Sequence, residues 1–212
     1  MARHFLIARH GETVFNAAAR MQGDTLHTPL TREGFAQAEA MGAALRERLG
    51  ARPAVALWSS PAGRALQTLA VIAEHLELDW HGARIDPRLA EIDVGEWSGL
   101  PYRDVAERSG PPIDPATGLF RCRPPGGEWY DEVSARLQSW LDDRPIGEGV
   151  QLVVMHGMSS RVLRGLLGGS TIDPRCGAPV AEGLPQGSVA EIFDGRETLL
   201  HRAAAASDGE AG

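Results

Sequence analysis

The chain has 212 residues, 43% of them hydrophobic, and a formal net charge of −7. A chain of this length can bury one substantial core, so we expect a single domain over residues 1–202. The acidic balance argues against a nucleic-acid partner, because such proteins usually carry a basic face. All 21 basic residues are arginine, which excludes Schiff-base and P-loop lysines.

The N-terminal residues and the two cysteines are expected to have no targeting or redox role. The apolar run at residues 5–8 is too short for a signal-peptide core or a membrane span, so we expect a cytoplasmic protein without a membrane partner. Cys122 and Cys176 lack the spacing of zinc or redox motifs, and we expect both to be reduced and structural. Residues 203–212 are expected to form a disordered tail.

Predicted strands and helices alternate through the first half of the chain. A buried strand at residues 4–8 stops at a glycine turn, and a helix capped by Thr31 follows it. A strand at 54–58, a helix at 63–76 and a third strand at 80–85 come next. The first long helix is expected to pack on the core through an apolar stripe of Ala36, Ala40, Met41, Ala44, Leu45 and Leu49.

The second half begins with an interruption of this pattern. Residues 96–127 are rich in Pro, Gly and Arg and are predicted to be an insertion over the core, with a short helix near 102–108. The remaining predictions are a helix at 128–142, a strand at 151–155, a helix after His156-Gly157, and a closing hairpin of 189–193 with 198–201. Together they predict an α/β fold: a three-layer α/β/α sandwich with a mostly parallel sheet, an inserted lid segment and a C-terminal hairpin.

Three polar clusters follow three predicted strands. His10 follows the first strand, Ser59 and Arg64 follow the second, and His156 follows the strand at 151–155. Sheets of this class bind ligands beyond the carboxyl ends of their strands. We therefore expect these side chains to meet at one edge of the sheet.

The motifs around these residues resemble those of the histidine phosphatase superfamily, also called phosphoglycerate mutase-like. The resemblance rests on Arg9-His10-Gly11-Glu12-Thr13 with Asn16 and Gln22-Gly23, on residues 29–34 and 59–68, on Glu91 with Gly95 to Gly99, and on residues 153–161 around His156. It covers about three quarters of the chain in family order. It implies a phosphoryl-transfer enzyme with no cofactor and no metal, acting on a phosphorylated small molecule. In many relatives a serine stands at the position of Trp129.

The residue chemistry agrees with the roles that the resemblance implies. Attack on a phosphate monoester needs a neutral nucleophile, which His10 can supply, and cations facing the phosphoryl oxygens, which Arg9 and Arg64 can supply. The two guanidinium groups disfavour protonated His10. The family suggests that the carbonyl of Gly11 fixes the tautomer of His10. His156 is then expected to donate to a phosphoryl oxygen.

Further positions complete the expected site. Asn16, Gln22 and Gly23 are candidates for substrate binding, and Glu91 is the expected general acid for the leaving alkoxide and general base for the hydrolytic water. Specificity is expected to reside in residues 96–129 and in the loop at 183–188.

Three functions remain open: a metal-independent phosphatase, a cofactor-dependent phosphoglycerate mutase, and a non-catalytic phospho-ligand binder. Asp93 and Glu96, which follow Glu91, are expected to disfavour a doubly anionic bisphosphate at the mouth of the site, and with it the mutase. The oligomeric state is left open, and a homodimer is one possibility.

Overall fold

A six-stranded sheet forms the centre of the computed structural model, which describes residues 3–144 and 149–203. Its strands are β1 (His4–Arg9), β2 (Val55–Ser59), β3 (Arg84–Ile85), β4 (Val150–Met155), β7 (Val189–Phe193) and β8 (Arg196–His201), and a separate two-stranded sheet pairs β5 (Ile172–Asp173) with β6 (Ala178–Pro179). The order across the main sheet is β3-β2-β4-β1-β7-β8. The first four of these strands are parallel, and β7 and β8 add antiparallel pairing at one edge, as predicted.

Helices cover both faces of the main sheet. They are α1 (Val14–Ala17), α2 (Arg32–Leu49), α3 (Gly63–Leu76), α4 (Tyr102–Ser109), α5 (Tyr130–Asp142) and α6 (Gly157–Gly168). Successive side chains of a strand point to opposite faces. Accordingly, Phe5 and Ile7 join the core with α5 and α6, whereas Leu6 and Ala8 join the core with α2 and α3. This arrangement confirms the α/β/α sandwich.

Helix α2 begins where Thr31 predicts, but the face it buries differs from the predicted stripe. The Thr31 hydroxyl accepts the Gly34 N–H at 3.0 Å. Ala36 and Ala40 are exposed. The residues that α2 buries are Gly34, Ala38, Met41, Gly42 and Leu45. Met41 and Leu45 of the predicted stripe are confirmed, whereas Ala36 and Ala40 were wrong because two glycines, which carry no hydropathy signal, occupy the positions of closest approach.

The closest of these contacts is between Gly34 of α2 and the turn after β1. A Cβ on Gly11 would lie 2.2 Å from the Gly34 carbonyl oxygen, and a Cβ on Gly34 would lie 2.0 Å from the Glu12 carbonyl oxygen. Both distances are far below a van der Waals contact. Glycine at both positions therefore allows the first turn of α2 to rest directly on the His10-Gly11 turn.

Two further predictions need correction. Residues 80–85 form a 3-10 turn at Trp80–Gly82 and only a two-residue strand, because the Asp79 carboxylate caps the His81 N–H at 2.9 Å and starts the turn. The closing hairpin has a two-residue loop, Asp194-Gly195, with positive φ at both residues, so β8 starts two residues earlier than expected. Positive φ at both loop residues is the conformation of a type I′ turn, whose twist matches that of the flanking strands.

Residues 96–127 pack over the carboxyl ends of the central strands. They contain α4, and Ile113 and Phe120 form a bridge that closes the following loop. The expected helix at 128–142 begins at Tyr130, with Trp129 as its N-cap residue. Among the described residues no helix has the length and apolarity needed to cross a membrane. The tail predicted for 203–212 lies outside the described residues, apart from Ala203.

Candidate active site

The predicted polar clusters meet at the carboxyl edge of the sheet. His10 follows β1, Arg64 is the second residue of α3 after β2, and His156 is the N-cap residue of α6 after β4. The rings of His10 and His156 lie 5.2 Å apart between centroids. The parallel strands β1, β2 and β4 are neighbours, so their ends bring together residues that are far apart in sequence.

His10 is held as a neutral imidazole with one nitrogen free. Its side chain is buried, and Nδ1 donates to the Gly11 carbonyl at 2.7 Å. Nε2, which makes no hydrogen bond to the described residues, therefore carries the lone pair. Burial, followed by the charges of Arg64 and Arg9, lowers the pKa of His10 well below its usual range. The ring is thus an unprotonated base near neutral pH.

Arg64 is a buried cation that is hydrogen-bonded to residues 23–28. Its Nη1 donates to the Thr25 carbonyl at 2.6 Å and to the Thr28 hydroxyl at 2.9 Å, and its Nη2 donates to the Gly23 carbonyl at 2.7 Å. Burial lowers the pKa of Arg64 to about 10, and Glu91 opposes that effect. The guanidinium therefore remains charged at neutral pH, next to both histidines.

His156 is fully buried between Arg64 and Ser60. Arg64 Nε donates to His156 Nδ1 at 3.2 Å, and His156 Nε2 lies 2.7 Å from Ser60 Oγ. Burial, followed by the charge of Arg64, lowers the pKa of His156 well below its usual range. Both ring nitrogens are thus engaged by the protein, and donation to a phosphoryl oxygen stays a prediction.

Arg9 brings a second guanidinium to the site. Its Nη1 donates to the Leu184 carbonyl at 2.7 Å, and its buried Nε has no partner among the described residues. A Cβ on Gly157 would lie 3.2 Å from the Arg9 guanidinium carbon. A buried N–H without an acceptor is unfavourable, so Arg9 is well suited to an anionic ligand.

Thr13 orients the two side-chain amides that the sequence proposes for substrate binding. The Thr13 hydroxyl lies 2.8 Å from Asn16 Oδ1 and 2.8 Å from Gln22 Oε1, and the Thr13 N–H donates to Asn16 Oδ1 at 3.1 Å. With their oxygens directed to Thr13, both amides leave their NH₂ groups for other partners. Asn16 and Gln22 line the same cavity as His10.

The carboxylate of Glu91 lies at the N-terminus of α6. It accepts the N–H groups of Met158 at 3.0 Å and Ser159 at 2.8 Å. Its charge opposes the lowering of the pKa that burial imposes on both Arg9 and Arg64. Glu91 therefore lies within electrostatic range of both cations and also caps a helix that has no capping side chain at His156.

A cavity of about 370 Å³ lies next to these residues, but the fully buried Arg64 and His156 are not part of its wall. Its walls include, besides the expected Arg9, His10, Asn16, Gln22, Gly23 and Glu91, the residues Arg20, Tyr102, Ile113, Thr117, Gly118, Phe120, Arg161 and Leu184. Residues from both 96–129 and 183–188 thus line the cavity, and their role in specificity stays a prediction. Trp129 does not line the cavity, and its Nε1 donates to the Arg175 carbonyl at 3.2 Å.

The charged residues of the cavity wall are mainly arginines. Asp93 and Glu96 are absent from the cavity wall, and the Asp93 carboxylate accepts the Gly95 N–H at 2.8 Å. Arg20 and Arg161 line the cavity instead. The cavity wall thus carries Arg20 and Arg161 besides Arg9, and the expected repulsion of a second anionic group by Asp93 and Glu96 stays a prediction.

Sequence reasoning missed Arg161, Tyr102 and the supporting hydroxyls of Thr13 and Ser60. Arg161 lies one helical turn after Gly157, on the helix that starts at the site, and that spacing was the available signal. Tyr102 reaches the cavity from α4, near enough to Arg9 and Glu91 for both charges to affect its pKa, which burial raises. Among the described residues no group of three or more His, Cys, Asp or Glu is placed to hold a metal ion.

Comparison with known proteins points to one family. The chain matches the model of the histidine phosphatase superfamily (branch 1) over residues 5–177. It is 34% identical over 157 residues to the 6-phosphofructo-2-kinase/fructose-2,6-bisphosphatase of Caenorhabditis elegans. The matched region covers 74% of this chain but only 32% of that enzyme. It is 32% identical over 157 residues to the probable phosphoglycerate mutase GpmB of Yersinia pestis, covering 72% of this chain and 69% of that protein. The solved structure of mycobacterial hydrolase 1 has a TM-score of 0.74 at 25% identity, covering 97% of this chain and 100% of that one.

Proposed function

Because the chain belongs to the histidine phosphatase superfamily, we propose that it hydrolyses a small-molecule phosphate monoester through a phosphohistidine at His10. The observation that carries this proposal is the buried, neutral His10, which lines a cavity together with Arg9 and lies close enough to Arg64 for that charge to lower its pKa. A neutral nitrogen next to fixed cations is the combination that in-line phosphoryl transfer requires.

In the first step the Nε2 lone pair of His10 forms a bond to phosphorus as the bond to the leaving oxygen breaks. Glu91 gives its proton to the departing alkoxide. Arg9, Arg64 and the Asn16 amide stabilise the charge on the phosphoryl oxygens. The Nε2–H of His156, which the Ser60 hydroxyl accepts in the free protein, is then donated to a phosphoryl oxygen instead. Throughout this step Nδ1 of His10 keeps its proton and donates it in a hydrogen bond to the Gly11 carbonyl.

In the second step water attacks the phosphorus atom, and the bond between phosphorus and Nε2 breaks. Glu91 takes the proton that the water loses, and inorganic phosphate leaves with His10 restored. No metal-bound water is needed, because histidine attacks and the arginines bind the charge. We expect turnover to persist after exhaustive EDTA treatment. Loss of turnover, restored by one divalent cation, would contradict that expectation.

A phosphoglycerate mutase is the second candidate, and two further arginines of the cavity wall favour it. Arg20 and Arg161 offer a place for the second anionic group of a bisphosphate. We favour water over the bound product as the acceptor of the phosphoryl group. A mutase must hold its product until the phosphoryl group returns to it, and the cavity contains no lysine that could help to hold the product. Both His10 and Glu91 are present, which argues against a purely non-catalytic binder.

One preparation can distinguish phosphatase from mutase. Release of inorganic phosphate from a panel of metabolite monoesters is measured alongside interconversion of 2- and 3-phosphoglycerate, with 2,3-bisphosphoglycerate added. We expect phosphate release from the best monoester to exceed interconversion. Efficient interconversion with negligible phosphate release would assign the mutase activity, and the His10 chemistry would still hold.

A further inference from the structure

His156, the buried histidine next to His10, carries its proton on Nε2 and not on Nδ1. Arg64 Nε donates to His156 Nδ1, and a guanidinium has no acceptor, so Nδ1 must offer its lone pair. The neutral imidazole therefore has its proton on Nε2. That proton points to Ser60 Oγ, 2.7 Å away.

Ser60 is itself fixed in the sheet edge. It is fully buried directly after β2, its N–H donates to the Val154 carbonyl of β4 at 3.1 Å, and its Oγ accepts the Ala62 N–H at 3.3 Å. The Ser60 hydroxyl thus accepts from His156 Nε2 at a position set by the backbone of two neighbouring strands.

We propose that Ser60 is a positioning residue, which orients His156 and holds its proton on Nε2 until a phosphoryl oxygen replaces the Ser60 hydroxyl as the acceptor. The role in turnover rests on the proposed function, whereas the tautomer assignment does not. Without the Ser60 oxygen the ring would keep its bond from Arg64 but lose the contact that fixes its rotation. The Nε2–H would then lack a buried acceptor until substrate arrives.

Neighbouring Ser59 offers a matched control. It is as buried as Ser60, but its hydroxyl donates to the Ser60 carbonyl at 2.8 Å and forms no hydrogen bond with His156. Ser59→Ala and Ser60→Ala therefore remove the same group from adjacent buried positions. Ser60→Thr retains the hydroxyl and serves as the rescue variant.

Two measurements test the proposal. Long-range proton–nitrogen NMR of the ligand-free protein reports which ring nitrogen of His156 is protonated, and steady-state kinetics give kcat and KM separately. We expect a single, sharp Nε2–H form in the parent, Ser59→Ala and Ser60→Thr, and a broadened or mixed signal in Ser60→Ala. The kcat of Ser60→Ala should fall roughly 10- to 100-fold with little change in KM, by analogy with other orienting contacts.

The outcomes separate this proposal from the proposed function. An unchanged His156 signal in Ser60→Ala, or equal kcat losses in Ser59→Ala and Ser60→Ala, would overturn the positioning role. If the parent released no phosphate from any monoester, the proposed function would fail, and the NMR comparison would still decide whether Ser60 fixes the tautomer.

Discussion

At the scale of single residues, Glu91 combines a structural contact with a proposed chemical role. Its carboxylate caps α6 and lies near both arginines of the site. A substitution therefore disturbs the helix terminus as well as proton transfer. Comparing two substrates on one variant separates the effects, because a loss caused by displaced α6 is shared by both substrates.

Glu91→Gln should impair alkyl phosphates far more than nitrophenyl phosphate. An alkoxide needs a proton in order to leave, whereas nitrophenolate is stable without one, and general acid catalysis contributes roughly 100-fold or more. We compare kcat/KM, because it reports the transfer to His10 and not the hydrolytic step that both substrates share. We expect kcat/KM for an alkyl phosphate to fall by about that factor and kcat/KM for nitrophenyl phosphate by roughly tenfold or less. Equal losses in kcat/KM on the two substrates would show that Glu91 does not donate the proton to the leaving group.

Arg161 is the residue whose surroundings most directly suggest a substrate preference. Its guanidinium donates to the Ala181 carbonyl from Nε at 2.8 Å and to the Thr117 carbonyl from Nη1 at 2.9 Å. Within residues 3–144 and 149–203 no carboxylate forms an ion pair with it, although the side chain is buried. Buried charges are normally paired, so we expect a second anionic group of the substrate to supply the counter-charge.

Arg161→Gln should therefore reduce the preference for a monoester that carries a carboxylate. The matched substrates are 3-phosphoglycerate and glycerol 3-phosphate, which differ in that group. We expect the ratio of their kcat/KM values to fall roughly tenfold or more. Arg175→Gln is the control, since Arg175 is exposed and paired with Asp173. A ratio unchanged by Arg161→Gln would exclude this contact.

At the scale of secondary structure elements, the contact between α2 and the turn after β1 positions the nucleophile. Gly34 touches Glu12 in that turn, whereas Gly42, two helical turns later, faces the ring of His75. Alanine at either position places a Cβ within 2.5 Å of other atoms. The two substitutions thus overpack the same helix, but only one of them does so at the site.

Gly34→Ala and Gly42→Ala should both destabilise the protein, by about 1–3 kcal/mol each. Only Gly34→Ala should also lower kcat, because it displaces the His10-Gly11 turn from its position opposite Arg64. Denaturant unfolding and steady-state kinetics of the two variants provide the comparison. If both variants lost activity in proportion to stability, α2 would have no special role in positioning His10.

At the scale of the whole molecule, two neutral buried histidines make the stability depend on pH. Burial lowers the pKa of His10 and of His156, so in the folded state both stay neutral below the pH at which they protonate in the unfolded chain. The unfolded chain then binds more protons than the folded one. Stability is fully present above about pH 6.5 and declines as the pH falls towards the lowered pKa values.

Between about pH 6 and 5 we expect the free energy of unfolding to fall by up to about 1.4 kcal/mol per pH unit for each of these histidines. Carboxylates with a lowered pKa, such as Asp86, titrate below this window. Denaturant unfolding at several pH values measures the slope, and His10→Asn should reduce it by the share of one histidine. A slope that His10→Asn leaves unaltered would mean that His10 is protonated in the folded state.

The sequence contained most of the fold and the centre of the site, because both depend on local patterns. Apolar runs predicted β1, β2 and β4, and the chemistry at their ends predicted that His10, Arg64 and His156 would meet. The face of α2 was not predictable in this way, since glycines form its closest contacts. Arg161 and Tyr102 depend on how α6 and residues 96–127 pack over the cavity, and the placement of Asp93 depends on its bond to the Gly95 N–H. These are tertiary contacts without a periodic signal.

The most direct test of the account is a search for phosphohistidine at position 10. Brief incubation with a labelled monoester, followed by denaturing quench, should trap an acid-labile, base-stable label on the peptide containing His10. His10→Ala should lose both the label and turnover, whereas His75→Ala, at a histidine paired with Glu39, should retain both. A label that persists in His10→Ala, or full turnover by that variant, would contradict the central claim.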